Sequence, residues 1–260
     1  MSTNTILTET QGAVTIIKLN RPEKFHSFNR EMALGLQAAL DKAEADANIR
    51  AILLTAEGKA FCAGQDLAEA IDGSGPGIEK IVREHYNEII LRLRKIEKPV
   101  VVAVNGVAAG AGANIALAGD VIIAGISASF IQAFSKIALI PDSGGTFILP
   151  KLIGLQRATA LMMLGDKVSA GEAFQMGMVY KVVEDAALME TAMNIAKTLS
   201  EMPTKALGLT KRLLNEGTTN SLEQQLIREA EEQVVAAGTA DFKEGIAAFM
   251  EKRKAVFKGE

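Results

Sequence analysis

The chain has 260 residues, 48% of them hydrophobic, a formal net charge of −3 and no low-complexity tract. That length supports a substantial core with room for an appendage, and mild acidity without a basic run argues against nucleic acid or a membrane as partner. The apolar runs stop well short of a membrane span and nothing resembles a signal peptide; a single cysteine, Cys62, excludes an internal disulfide and fits a cytoplasmic location.

In chain order, Thr5 to Thr10 and Val14 to Leu19 read as strands joined by a Gln11-Gly12 turn. A polar loop, Asn20-Arg21-Pro22-Glu23-Lys24, leads to a helix capped by Asn29, with apolar positions at Met32, Leu36, Leu40 and Ala43. Ile49 to Thr55 is a strand, and Gly58 to Leu67 a loop of small residues around Phe61. Asp72 to Gly77 is Gly-rich, and Ile78 to Ile96 reads as one amphipathic helix. Val100 to Val104 is β-branched and follows Pro99, the signature of a buried strand; Val121 to Ala124 is another apolar segment. After Pro150 the pattern turns helical: 154–164, 169–176, 186–200, 204–215, 221–236 and 239–254, with only Val179 to Val183 strand-like. Ser169 and Glu172 have the spacing of a capping box. Alternating strands and helices predict an α/β core with parallel pairing, residues 1–200, and a helical C-terminal region, 201–260.

Between the strand ending at Val104 and Asp120 lies Asn105-Gly106-Val107-Ala108-Ala109-Gly110-Ala111-Gly112-Ala113-Asn114. Small residues at a helix start allow free N–H groups to approach a ligand and stabilise developing negative charge. The same residues would serve close helix–sheet packing, and both readings stand. Two histidines and one cysteine, far apart, give no metal-ligand pattern, and no Ser-elbow accompanies His26 or His85.

Together, Asn20-Arg21-Pro22, Ala60 to Leu67, Asn105 to Asp120, Ile140-Pro141-Asp142-Ser143-Gly144-Gly145-Thr146 and the basic stretch Met250 to Gly259 resemble the crotonase, or enoyl-CoA hydratase/isomerase, family along essentially the whole chain. The resemblance implies a spiral of ββα turns around an acyl-CoA site, with C-terminal helices for trimerisation and a homotrimer or a hexamer of paired trimers. It implies that the backbone N–H groups of Gln65 and Ala111 hold the thioester oxygen, the Gln65 side chain mattering little. Coenzyme A would be contacted by Arg21, Lys24, His26, Ala63, Gln65, Asp66 and Leu67, and by Phe257 and Lys258 from a neighbouring subunit. His26 reads otherwise as a plain loop residue, and Lys258 as part of a solvated tail. No separate cofactor or metal is implied, because coenzyme A is part of the substrate.

Family hydratases use two glutamates to handle water; here those positions are Asn114 and Phe134, neither of which can abstract a proton. Asp142 stands where hydratases have glycine. Aspartate there resembles the family's ring-epoxide isomerases and its chlorobenzoyl-CoA dehalogenases; the tryptophan expected of the latter is missing. Asp142 is therefore expected to be the catalytic base of an isomerase, in surroundings made apolar by Phe134, Ile137, Leu139 and Ile140, with Asn114 shaping the pocket; the plainer alternative is that Asp142 caps a helix. Gly73 to Gly77 is expected near the acyl end as a lid. Competing expectations are a linear enoyl-CoA isomerase, a plain hydratase, and a non-catalytic acyl-CoA-binding protein.

Overall fold

The computed structural model describes residues 4–260. Ten strands form two sheets: β1 (Ile6–Gln11), β2 (Val14–Leu19), β3 (Ala51–Ala56), β4 (Ala60–Cys62), β5 (Val100–Val104), β6 (Val107–Ala109), β7 (Val121–Gly125), β8 (Ser129–Ile131), β9 (Lys167–Ser169) and β10 (Lys181–Val183). The larger sheet runs β1-β2-β3-β5-β7-β10 and the smaller β4-β6-β8-β9. All pairings are parallel except β1 with β2 and β8 with β9. Each spiral turn lays one strand in the larger sheet, bends, and lays the next in the smaller: β3 then β4, β5 then β6, β7 then β8.

Strand alternation sorts side chains between two cores. Ile52, Leu54, Val100, Val102 and Val104 face the main core, with Met32, Leu36 and Leu40 of the helix Arg30–Ala45. Leu53, Val101, Ala103 and Ile123 face the opposite side, against Leu188, Ala192 and Ala196 of the helix Leu188–Ser200. Burial on both faces explains why the Val100 to Val104 run is wholly apolar.

Several boundaries differ from the sequence expectation. The first strand starts one residue later, and Asn105 to Asp120 yields the strand β6 and a short helix, Ala111–Leu117. Strands β8 and β9 had no sequence signal; at three residues each they are too short to show alternation. The helix before β5 contains a π-helical stretch, Ile81–Asn87. The last helix stops at Glu251, where Lys252 turns left-handed at φ 55°.

The tail beyond it folds back on its own chain. The Asp241 carboxylate accepts from the N–H groups of Lys258 (2.6 Å) and Gly259 (2.7 Å), and Arg50 donates to the Phe257 carbonyl (2.6 Å). No helix among the described residues is long and apolar enough to cross a membrane.

Where β3 and β5 bend into the smaller sheet, the backbones nearly touch. A Cβ on Gly106 would lie 2.1 Å from the Lys59 carbonyl oxygen. Gly106→Ala should therefore cost about 2 kcal/mol or more in urea unfolding. Gly171, helical and with open space around its Cβ position, should gain up to ~1 kcal/mol as alanine.

Candidate active site

The site lies where β4 and β6 end. They run parallel, Ala60 beside Val107 and Cys62 beside Ala108, so the segments that follow leave the sheet side by side. A Cβ on Gly64 would sit 3.0 Å from the Ala109 carbonyl oxygen and 3.7 Å from the Ala111 nitrogen. A Cβ on Gly112 would strike Cys62, 2.5 Å from its carbonyl oxygen and 2.6 Å from Sγ. The glycines at 64 and 112 thus allow the two segments to touch. Gly110, at φ 53° and ψ −126°, holds a backbone conformation that side chains avoid. Close packing and N–H presentation are both correct readings of this run, each for different residues.

Two N–H groups are left open. Gln65 forms a parallel bridge with Phe28: the Phe28 N–H donates to the Gly64 carbonyl (2.7 Å), and the Asp66 N–H to the Phe28 carbonyl (2.8 Å). Parallel geometry then turns the Gln65 N–H away from Phe28. Ala111 is the first helical residue after Gly110, which carries no capping side chain. Neither N–H has an acceptor among the described residues. Gly64, against the Ala109–Ala111 turn, brings the segments that carry these two donors into contact, and open N–H groups are able to polarise a carbonyl.

The Asp142 turn is tied to the helix that begins at Ala111 through Asn114, one helical turn on. The Asn114 carboxamide, 1% exposed, donates from Nδ2 to the Asp142 carbonyl (2.9 Å) and accepts at Oδ1 from Gln132 Nε2 (2.8 Å). Both ends are engaged by protein, so Asn114 positions the Asp142 turn and is not itself a reacting group. The fit is close: a Cβ on Gly145 would lie 2.3 Å from Asn114 Nδ2.

The capping alternative for Asp142 fails. The helix Gly145–Ile153 has Gly144 as its N-cap, and no side chain caps it. The Asp142 carboxylate instead accepts from the Ser143 hydroxyl (2.8 Å), with Ser143 at φ 51°. Burial pushes the Asp142 pKa above the usual carboxylate range, against the Ser143 hydroxyl and its own N–H, which pull it down. The expected apolar surroundings are only partly as read. Phe134 is buried, but Ile137, Leu139 and Ile140 are exposed, Ile140 by 82%.

The expected coenzyme A contacts divide into committed and open residues. Arg21 donates to Asp66 Oδ2 (3.0 Å) and to the Ser27 carbonyl, while Asp66 Oδ1 caps the helix Leu67–Ile71 by accepting from the Ala68 N–H (3.2 Å). These two side chains hold the loop together and are not free to bind. His26 accepts at Nδ1 from the Arg21 N–H (2.9 Å) and donates from Nε2 to the Glu57 carbonyl (2.6 Å). Both ring nitrogens are thus engaged by the backbone, and burial holds the His26 pKa below the usual range. The Ala63 N–H donates to the Phe25 carbonyl (2.9 Å). Lys24 and Leu67 are exposed. Phe257 is fixed beside Arg50, just before the start of β3, and Lys258 by Asp241, whereas the site lies beyond the ends of β4 and β6.

Tyr86, Gln132 and Ser143 were not foreseen. Tyr86, 1% exposed, donates its hydroxyl to Gln65 Oε1 (2.7 Å), so the Gln65 side chain is itself held in place. Only Gln132 carried a signal, as a polar residue inside the apolar stretch Phe130 to Phe134. Among the described residues no group of three His, Cys, Asp or Glu side chains could hold a metal ion.

The enoyl-CoA hydratase/isomerase family profile matches residues 9–260. The chain belongs to this family. It is therefore a family enzyme, and its two-sheet spiral is the crotonase fold. It is 46% identical over 258 residues to the 1,2-epoxyphenylacetyl-CoA isomerase of Escherichia coli, covering 98% of each chain. It is 41% identical to a probable enoyl-CoA hydratase of Rhodobacter capsulatus, covering 100% of each. A solved structure of a Mycobacterium abscessus family member superposes with a TM-score of 0.93 at 39% identity, over 98% of this chain and 100% of that one.

A carboxylate with a raised pKa opposes folding while charged. The penalty is complete above the folded-state pKa, shrinks as pH falls through it, and vanishes below the ordinary unfolded value. Asp142→Asn should accordingly melt higher than the unaltered protein at pH 7, and most of that difference should disappear on acidification, as read by thermal unfolding across pH.

Proposed function

We propose that this enzyme is an acyl-CoA isomerase in which Asp142 is the sole acid–base group. The carrying observation is the state of the acids at the site. Asp142 is half-buried with its pKa raised, while the two hydratase glutamate positions hold Asn114, spent on protein contacts, and Phe134.

The N–H groups of Gln65 and Ala111 bind the thioester oxygen and stabilise the enolate formed when Asp142 takes a proton from the neighbouring carbon. The proton returns at another position, so no water is consumed and one carboxylate suffices. The likeness to the E. coli enzyme supports 2-(1,2-epoxy-1,2-dihydrophenyl)acetyl-CoA as the substrate: the C–C bond shared by the epoxide and the six-membered ring breaks with both C–O bonds kept, and the proton taken from the carbon next to the thioester returns on a ring carbon, giving the seven-membered oxepin ether. The same groups would move a double bond from the β,γ to the α,β position of a linear enoyl-CoA.

Assembly into a homotrimer, or a hexamer of two trimers, is part of this reading. It is supported by the apolar side chains left exposed on the last helices, among them Leu222, Leu226, Val234, Phe249 and Met250. In such an assembly Phe257 and Lys258 would serve a neighbour's coenzyme A.

The test gives purified enzyme 3-enoyl-CoA and crotonyl-CoA, beside Asp142→Asn. Double-bond migration should fall at least ~1000-fold in the variant, with little hydration by either protein. Robust hydration surviving the loss of Asp142 would overturn the assignment.

A further inference from the structure

We propose that Tyr86 is a positioning residue: its hydroxyl, acting through the Gln65 side chain, fixes the orientation of the Gln65 N–H. This rests on the reading of Gln65 and Asp142 given above. Tyr86 lies in the π-helical stretch Ile81–Asn87. Such stretches are rare and concentrate at functional sites. This one is braced from outside: Gln37, on the helix Arg30–Ala45, donates Nε2 to the carbonyls of Glu84 (2.7 Å) and His85 (3.2 Å).

The brace sets Tyr86 against the loop that carries Gln65. Its ring meets Phe28 edge-on, centroids 6.0 Å apart. Phe28 is also the residue whose main chain brackets Gln65. The Tyr86 hydroxyl fixes Gln65 Oε1, which fixes the amide plane and directs Nε2 to the Asp66 carbonyl (3.2 Å) and to Glu69 Oε2 (3.1 Å). Glu69 Oε1 in turn accepts from the Arg30 N–H (2.9 Å). Every side-chain heteroatom of Gln65 is therefore held, although the sequence reading gave this side chain no part. Burial, and then the charges of Cys62, Asp142 and Glu69, hold the Tyr86 phenol well above its ordinary range, so it remains a donor. A group that aims a thioester-binding N–H acts on the transition state more than on coenzyme A binding, so its loss should appear in kcat.

The experiment measures 3-enoyl-CoA isomerisation by Tyr86→Phe, Gln65→Ala, the double variant, Glu69→Ala and Asp142→Asn, with Tm for each. Tyr86→Phe should lower kcat about 10-fold and leave KM within about 2-fold. Gln65→Ala should do the same, and the double variant should be no worse than either, because both remove one interaction. Glu69→Ala alters a half-buried side chain and should give a smaller fall in kcat; with Gln65→Ala it decides the matter should Tyr86→Phe fail to fold. Unchanged kcat, a loss confined to KM, or a double loss equal to the product of the singles would overturn the proposal. Full activity in Asp142→Asn would instead overturn the site reading beneath it. An inactive Asp142→Asn beside a fully active Tyr86→Phe would remove the present inference alone.

Discussion

The structure depends on the close contact between two backbone segments, Cys62–Gln65 and Ala109–Gly112. They leave neighbouring strands of the smaller sheet, and only glycine at 64 and 112 lets them approach this closely. The contact brings together the segments that carry the open N–H groups of Gln65 and Ala111. Donors of this kind are fixed before substrate arrives, so little reorganisation opposes them when charge develops. The cost is a fold that tolerates almost no added atom at these glycines.

Asp142 is subject to opposed influences. Burial weakens it as an acid, whereas the Ser143 hydroxyl and its own N–H favour the carboxylate. A base is most useful when its pKa approaches the working pH, and desolvation moves Asp142 in that direction. Its position is set indirectly, through the carbonyl that Asn114 holds and the chain Gln132–Asn114–Asp142 behind it. Asparagine is well suited to position 114: it donates to Asp142 and accepts from Gln132 at once, which a carboxylate could not do.

Local signals were legible in the sequence. Asn29 caps its helix by accepting from the Met32 N–H, Ser169 and Glu172 form the capping box, and Val100 to Val104 is a buried strand. Asp142 stood out because the glutamates were missing. What was not legible depends on partners distant in the chain. The π-helical stretch is braced by Gln37, more than forty residues earlier, and has no sequence pattern of its own. The committed states of Arg21 and His26 arise from Asp66 and Glu57. The tail around Lys258 reads as a free basic segment until Asp241 and Arg50 are seen to hold it.

The central claim is that open backbone donors and one carboxylate make an enolate. The direct measurement is deuterium exchange at the carbon next to the thioester of a saturated acyl-CoA in heavy water, followed by NMR. It needs no isomerisation to be completed. The account predicts exchange with the unaltered enzyme and none above background with Asp142→Asn. Exchange that persists in the variant would contradict it, as would its absence with the unaltered enzyme.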